Sequence, residues 1–437
     1  MSFKRSFIII GILALICSCS SSNIDVDDAD ILIDPISSTP NILLIIADDM
    51  GLDATPNFSE GTIKPNMPNL QALMNTGITF KNLWSYPVCS PTRASILTGK
   101  YGGKSGVLEV GNVISTSETS IQNFIDDNTS NAYASAIIGK WHLSNSASDP
   151  TTMGVDYFAG LLTGGVQTYT NWRLTENNST LTSTEYTTTK FTDLAIDWID
   201  KQTKPWFVWL AYNAPHTPFH LAPTDLHSQG NLPTDSGSID ANPTPYYMSA
   251  IEAMDTEMGR LIDGLTTEEK ENTIIIFIGD NGSPNQVAQY PYNRFKAKNS
   301  LYQGGINVPM VVSGAGVSRM NENEDALIHT TDLFSTIASI AGIPTSNVEN
   351  STSFYPLLTN ANASSRTYVY TEISDNGIGY AIRNATYKLI KYDSGIEEFY
   401  NLGSDAYENS DLIGTMLSTE ASNAKAALEA EAIRIRN

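Results

Sequence analysis

The chain has 437 residues, 47 of them acidic and 25 basic, for a formal net charge of −22. A surface this acidic repels nucleic acid and anionic lipid, so partners of those two kinds are excluded. Hydrophobic residues make up 41%, ordinary for a globular protein, and the length allows a large core. The first element in chain order has a basic start at Lys4 and Arg5, then an apolar run from Phe7 to Ile16. That run is too short to span a bilayer and reads as an export signal, residues 1–19. Residues 20–40 (Ser20-Ser21-Ser22, then Asp25, Asp27, Asp28 and Asp30) lack periodicity and read as a flexible acidic tether. Of three cysteines, Cys17 and Cys19 lie in the signal, leaving Cys89 as the sole thiol of the exported body. One unpaired cysteine makes no disulfide framework, so Cys89 needs another explanation.

Ile16-Cys17-Ser18-Cys19 resembles a bacterial lipobox. The resemblance implies lipidation of Cys19, which follows the small Ser18, rather than of Cys17, which follows bulky Ile16. The expected location is therefore a lipid anchor in the periplasm or on the surface of a bacterium, with no other membrane contact.

Short apolar runs then alternate with amphipathic stretches. Asn41–Ala47 ends in Asp48-Asp49, and Ala134–Gly139 ends in Lys140-Trp141-His142. Trp206–Tyr212 ends in Asn213-Ala214-Pro215-His216, and Thr273–Gly279 ends in Asp280-Asn281-Gly282. A fifth run, Val308–Val312, ends in Ser313-Gly314. Such unalternating, β-branched runs are expected of strands buried on both faces of a parallel sheet. The stretches 190–201, 247–265 and 332–341 read as helices, which makes the fold class α/β with a large, mostly parallel sheet. In open sheets of this kind the ligand crevice lies beyond the carboxyl ends of the strands, where four of these polar tails should converge.

Cys89-Ser90-Pro91-Thr92-Arg93 stands between the first two runs. Pro91 suits the first turn of a helix and Gly99 its end. Cys89 then sits at the positive end of the dipole, with Arg93 one turn along. Asp48-Asp49 taken alone reads more readily as a solvated turn than as a metal site, and Asp280-Asn281-Gly282 as a turn favoured by Asn-Gly. Together, at strand ends, they offer four hard oxygen ligands, suited to Ca²⁺ or Mg²⁺ rather than zinc.

The segment from Cys89 to Gly99 resembles the signature of type I sulfatases, members of the alkaline phosphatase superfamily. So do Gly139-Lys140-Trp141-His142-Leu143, Pro215-His216-Thr217-Pro218 and Lys298-Asn299-Ser300-Leu301-Tyr302-Gln303-Gly304-Gly305. The resemblance covers nearly all of residues 41–410. It implies a catalytic domain over 41–365 and a small antiparallel C-terminal subdomain over 366–437, the latter suggested by Tyr387–Ile390 and Phe399–Leu402. It further implies that a maturation enzyme oxidises Cys89 to formylglycine (3-oxoalanine), which also faces the metal. A divalent cation, calcium in preference to magnesium, would sit on Asp48, Asp49, Asp280 and Asn281. Arg93 would activate the nucleophile, Lys140 bind sulfate, and Lys298 and His216 assist the leaving oxygen. His142 would remove the proton that releases sulfate. His220, His227 and His329 carry no site role.

Three departures stand out: Gln303 where the family often has Glu, Asn307 where it often has Arg, and Asp405-Ala406 in place of Asp-Pro. The first two are expected to alter how Lys298 is supported or how substrate is gripped. A sulfatase for sulfated carbohydrate is the leading reading. A phosphonate or phosphate-ester hydrolase of the same superfamily, and a non-catalytic lipoprotein binding sulfated glycans, are the alternatives. Substrate choice is expected in loops 163–185 and 222–246. In the first, Tyr169 and Trp172 offer an aromatic to stack on a sugar and Arg173 a cation for a second sulfate, a plain surface loop being the equal alternative.

Overall fold

The computed structural model describes residues 39–345, 348–375 and 377–437, so the export signal, Cys17, Cys19 and nearly all of the tether lie outside the described residues. Pro40 is already buried, and its carbonyl accepts a hydrogen bond from the Tyr133 hydroxyl at 2.8 Å.

Strands form at each of the five predicted apolar runs, and six others join them in the same sheet. They are β1 (Asn41–Ala47), β2 (Gly77–Trp84), β3 (Ala134–Lys140), β4 (Tyr157–Leu161), β5 (Trp172–Glu176) and β6 (Ser179–Ser183). There follow β7 (Trp206–Ala211), β8 (Thr273–Gly279), β9 (Asn307–Gly314), β10 (Glu322–Glu324) and β11 (Ile328–His329). One sheet runs β10-β2-β9-β8-β1-β7-β3-β4-β5-β6, with β11 added to β2. Its centre, β8-β1-β7-β3-β4, is parallel throughout.

Alternate residues of the central strands feed two separate cores. Leu43, Ile45, Ile275 and Phe277 face helices Pro68–Thr76, Thr187–Ile199 and Thr244–Gly264. Ile42, Leu44, Ile274 and Ile276 face helices Cys89–Thr98, Ile121–Thr129 and Asp332–Ile340. Covering both faces is what removes the polar alternation from these strands.

The fifth run departs from the parallel expectation. β9 is antiparallel to both β8 and β2. Its apolar run reports burial on both faces, which is independent of strand direction. The reversal has a consequence for the site: β9 begins at the sheet edge where β1, β3, β7 and β8 end. The segment before it, with Lys298, is thereby delivered to that edge.

A second sheet, β12 (Val369–Ile373), β13 (Gly379–Arg383), β14 (Tyr387–Tyr392) and β15 (Glu397–Asn401), is antiparallel in sequence order. One face packs with Trp84, Leu301 and Ile306 of the main body, and the other takes the helix Thr419–Arg436. Lys388 of β14 is wholly buried; it donates to the Leu301 carbonyl at 2.6 Å and to the Glu408 carboxylate. Glu408 in turn accepts the Gln303 amide N–H at 2.7 Å. This pair ties the small sheet to the segment that carries Lys298. Removing one member of a buried pair strands the other, at about 3–5 kcal/mol. Lys388→Met should therefore lower the unfolding free energy obtained from denaturant titration by an amount in that range, and the midpoint with it. A midpoint equal to that of the unaltered protein would show that the pair does not anchor the small sheet.

Candidate active site

The four polar tails converge. β1 ends in Asp48 and Asp49, both buried, and Asp49 adopts a left-handed conformation (φ 70°). Two bonds hold it: the Asp49 amide donates to Asp280 Oδ1 at 2.9 Å, and the Tyr247 hydroxyl donates to its carbonyl at 2.7 Å. β8 delivers Asp280 and Asn281, and Asn281 Nδ2 donates to Asp49 Oδ1 at 2.8 Å.

Next to the last residue of β3, Gly139 has φ 104°, and a Cβ there would lie 1.9 Å from the Ala211 carbonyl oxygen; only glycine fits between these strands. Lys140 follows, wholly buried, its Nζ 2.6 Å from Asp48 Oδ2. Two residues later His142 is also left-handed (φ 55°). Its carbonyl accepts from Ser90 Oγ at 3.0 Å, and its Nδ1 lies 3.2 Å from the Cys89 sulfur. Non-glycine residues pay for a left-handed backbone, and such residues gather at working sites. β7 leads to His216, whose Nδ1 donates to the Thr217 carbonyl at 2.7 Å, leaving Nε2 3.8 Å from Asp49 Oδ2.

Helix Cys89–Thr98 begins as its sequence predicts. No side chain caps its N terminus, and Gly99 closes it in the left-handed conformation (φ 68°). Arg93 is wholly buried and reaches the carboxylates: Nη2 to Asp280 at 2.7 Å and to Asp48 at 3.7 Å, Nη1 to the Lys140 carbonyl at 2.7 Å. Lys298 Nζ bridges both Asp49 oxygens at 2.5 and 2.7 Å. All ten positions singled out at this edge by the sequence thus form one cluster.

Buried charge decides the protonation states. Burial drives the Asp48 carboxyl up, but Lys140, His216 and Arg93 outweigh it and hold it below the usual carboxylate range. Asp49 is likewise lowered, burial being overcome by Lys298 and His216. Asp280 goes the other way: burial and the neighbouring Asp48 charge push it up to about 7 despite Arg93. Burial raises the Cys89 thiol, so this cysteine is not poised as a thiolate nucleophile. His142 is held neutral, drawn down to about 2 by burial and by the Lys140 and Arg93 charges.

The site fits a hard divalent cation. Asp48 Oδ1 and Asn281 Oδ1 are buried acceptors with no hydrogen-bond partner, and ligand atoms of Asp48, Asp49 and His216 lie within 4.8 Å of one another. Two orphaned oxygens beside three buried carboxylates are an arrangement that added positive charge would relieve.

The sulfatase family model matches residues 40–343. The chain belongs to the sulfatase family. A second family model, N-sulphoglucosamine sulphohydrolase, C-terminal, matches residues 292–435. The uncharacterized sulfatase YdeN of Escherichia coli (strain K12) is 27% identical over 368 residues, 70% of this chain and 63% of that protein. Arylsulfatase G of Rattus norvegicus is 25% identical over 364 residues, 69% of this chain and 65% of that protein. The chain thus spans a little under two thirds of the length of these curated relatives. Among solved structures, Ps i-CgsB in complex with k-i-k-neocarrahexaose has a TM-score of 0.77 at 23% identity, over 91% of this chain and 93% of that one. BT4656 in complex with its substrate D-glucosamine-2-N,6-O-disulfate has a TM-score of 0.76 at 19% identity, over 91% and 98%. At these identities the likeness establishes the shared sulfatase fold.

Other expectations are corrected. Tyr169 and Trp172 are not a platform for sugar: they are 2% and 3% exposed, packed in the core. Tyr169 instead donates to the Asn213 and His216 carbonyls at 2.8 and 2.6 Å, holding the loop that carries His216. Only Arg173 of that trio is exposed. Gln303 and Asn307 make no bond to Lys298. Gln303 Oε1 accepts from the Trp84 indole at 3.0 Å, and Asn307 Nδ2 donates to the Lys81 carbonyl at 3.1 Å. Residues the sequence reading passed over include Tyr247, Ser90 and Gly164. A Cβ on Gly164 would lie 2.4 Å from the His142 ring, and the Gly164-Gly165 pair was the available signal.

If the carboxylate cluster holds a cation, calcium added to chelator-treated protein should raise the melting temperature; hundredfold saturation stabilises by about 2.7 kcal/mol. Asp280→Asn should abolish most of that rise. An unchanged melting temperature, or stoichiometric zinc in the purified protein, would count against the assignment.

Proposed function

We propose that this chain is a sulfatase that hydrolyses sulfate monoesters of carbohydrates through a formylglycine made from Cys89 and a bound divalent cation, calcium or magnesium. The observation that carries the reading is the setting of Cys89. A thiol raised by burial stands at a helix start, 3.2 Å from a neutral histidine, among the buried cations Arg93 and Lys140 and the part-buried Lys298. A thiolate enzyme would lower that thiol; a precursor awaiting oxidation has no such need.

Oxidised to formylglycine and hydrated, residue 89 supplies an oxygen nucleophile together with a second hydroxyl that lets the enzyme release sulfate. A divalent cation on Asp48, Asp49, Asp280 and Asn281 supplies charge to polarise sulfate oxygens. In the net reaction water cleaves the S–O bond, giving an alcohol and sulfate. The chain's own groups divide the work. Lys140 and Arg93, fixed by Asp48 and Asp280, hold positive charge where sulfate oxygens gather. Asp49 keeps the Lys298 ammonium charged against the pull of burial, so Lys298 stabilises the leaving oxygen as a cation and gives up its proton reluctantly. The proton for that oxygen then falls to His216, whose Nε2 is left facing the cluster. His142, neutral, presents Nδ1 to the group at residue 89 and accepts its proton.

A carbohydrate substrate is supported by the bound saccharides of Ps i-CgsB and BT4656. We also propose the maturation enzyme as a partner, and an exported protein anchored through a lipid on Cys19.

Cys89→Ala should abolish sulfate release from the matured enzyme, and the peptide containing residue 89 should carry the mass of formylglycine in a host that has the maturation enzyme. More than trace turnover by purified Cys89→Ala protein would sink the mechanism. Leaving-group assistance matters most for poorly acidic alcohols. Lys298→Ala and His216→Ala should therefore slow sugar sulfates by about 10²–10⁴-fold while affecting an activated aryl sulfate far less. Equal losses on both substrates would reassign these residues to simple sulfate binding.

A further inference from the structure

Three histidines lie outside the carboxylate cluster, and one of them, His220, closes a circuit behind His216. His216-Thr217-Pro218-Phe219-His220 is one short segment after β7, and its near end is held from outside. The Tyr169 hydroxyl meets the His216 carbonyl at 2.6 Å and the Asn213 carbonyl at 2.8 Å. The far end packs behind the same tyrosine. The His220 ring stacks on the Tyr169 ring, with centroids 3.8 Å apart and planes at 27°. Both ring nitrogens of His220 are engaged: Nδ1 donates to the Pro218 carbonyl at 3.1 Å, and Nε2 accepts from the Tyr186 hydroxyl at 2.9 Å. Burial draws the His220 pKa down to about 4, in keeping with a neutral ring that accepts this bond. Tyr186 also lies against Tyr169, their centroids 5.8 Å apart, and Ser249 Oγ donates to the His220 carbonyl at 3.3 Å.

A tyrosine hydroxyl stands at the end of a long lever, and its place depends on what the ring packs against. With His220 removed, the Tyr169 ring has room to tilt, and its grip on the 213–216 backbone loosens. The remaining hydrogen bonds of His216 among the described residues are local: its amide to the Asn213 carbonyl at 3.0 Å, and Nδ1 to the Thr217 carbonyl at 2.7 Å. Neither reaches past its own loop, whereas Tyr169, a core residue, ties His216 to the body of the fold. We propose that His220 is a positioning residue for His216. By stacking behind Tyr169 and bonding Tyr186, it keeps the tyrosine hydroxyl on the His216 carbonyl and so directs Nε2 at the leaving oxygen. His220 acts through Tyr169 and not on the reacting atoms. The proposal rests on the sulfatase reading for the work that His216 does, and not for the geometry that holds it.

The test takes the full chain with Cys89 matured, on 4-nitrophenyl sulfate and 4-methoxyphenyl sulfate, whose leaving phenols differ in acidity. The variants are His220→Ala and Tyr169→Phe, the second keeping the ring and losing the hydroxyl. Each should lower kcat for the methoxyphenyl ester about tenfold, with KM held and a far smaller loss on the nitrophenyl ester. Adding His220→Ala to His216→Ala should cost nothing more, since the group being positioned is gone. A second readout needs no turnover. In ring-nitrogen NMR at alkaline pH, the His216 signals are identified by their loss in His216→Ala. They should report the Nδ1–H tautomer in the unaltered protein and move toward a tautomer average in each variant, with those of His142 in place. His216 signals unmoved in both variants would overturn the proposal, and so would a double variant slower than His216→Ala by the full His220→Ala factor. His216 signals that move while both esters slow equally would uphold the positioning and count against the leaving-group role of His216.

Discussion

The fold depends on keeping three carboxylates and two cations together out of water, with a third cation, Lys298, part-buried beside them. Asp48, Asp49 and Asp280 are each at most 1% exposed, and Arg93 and Lys140 are wholly buried beside them. A buried ion is tolerable only with a close partner, and every one of these has one: Lys140 on Asp48, Lys298 on Asp49, Arg93 on Asp280. Each pair joins different elements. Asp48 and Asp49 come from the end of β1, Asp280 from β8, Lys140 from β3, Arg93 from a helix, and Lys298 from the segment before β9. The ion pairs therefore fix the relative position of five elements at one sheet edge, and the parallel sheet fixes where those elements can end. The imbalance that remains, a raised Asp280 and two orphaned oxygens, marks where further positive charge belongs.

Much of this was legible in the sequence because buried parallel strands and helix starts write local signals. β1 and β8 appear with their predicted ends, and Pro91 and Gly99 bracket the Cys89 helix. The direction of β9 was not legible. An apolar run reports that both faces are covered and is silent on orientation, which the connection through 280–306 decides. Nor were the roles of Tyr169 and Trp172 readable, since an aromatic in a polar loop looks alike whether it meets a sugar or the core. Tyr169 turned inward because its hydroxyl finds two carbonyls, those of Asn213 and His216, which a buried loop must satisfy. Tyr247 was hidden for a related reason: a tyrosine in the long helix 244–264 reads as core. It is core, but its hydroxyl also secures the backbone of Asp49.

The departures at 303 and 307 show how a correct residue comparison can carry a wrong spatial inference. Both stand close in sequence to Lys298, yet one turn of chain and the start of β9 take them to the opposite side of the segment. There Gln303 meets Trp84 and the Glu408 carboxylate, and Asn307 meets Lys81. Neither is bonded to Lys298; Gln303 is seated instead by Glu408, the partner of Lys388.

Charge is segregated rather than merely negative. The excess acids are largely exposed, as in the sequence from Thr266 to Glu271, while several of the scarce cations lie inside. Over distances beyond about 10 Å, salt screens the outer charge, so an anionic substrate is repelled only weakly in saline surroundings. Within the cleft, low polarisability and fixed geometry make the few interior cations count for far more than their number. Net charge therefore describes the outer surface alone, and it is no guide to the sign of the proposed ligand. The sign is set by the cations that the strand ends and the Cys89 helix bring together beneath that acidic surface.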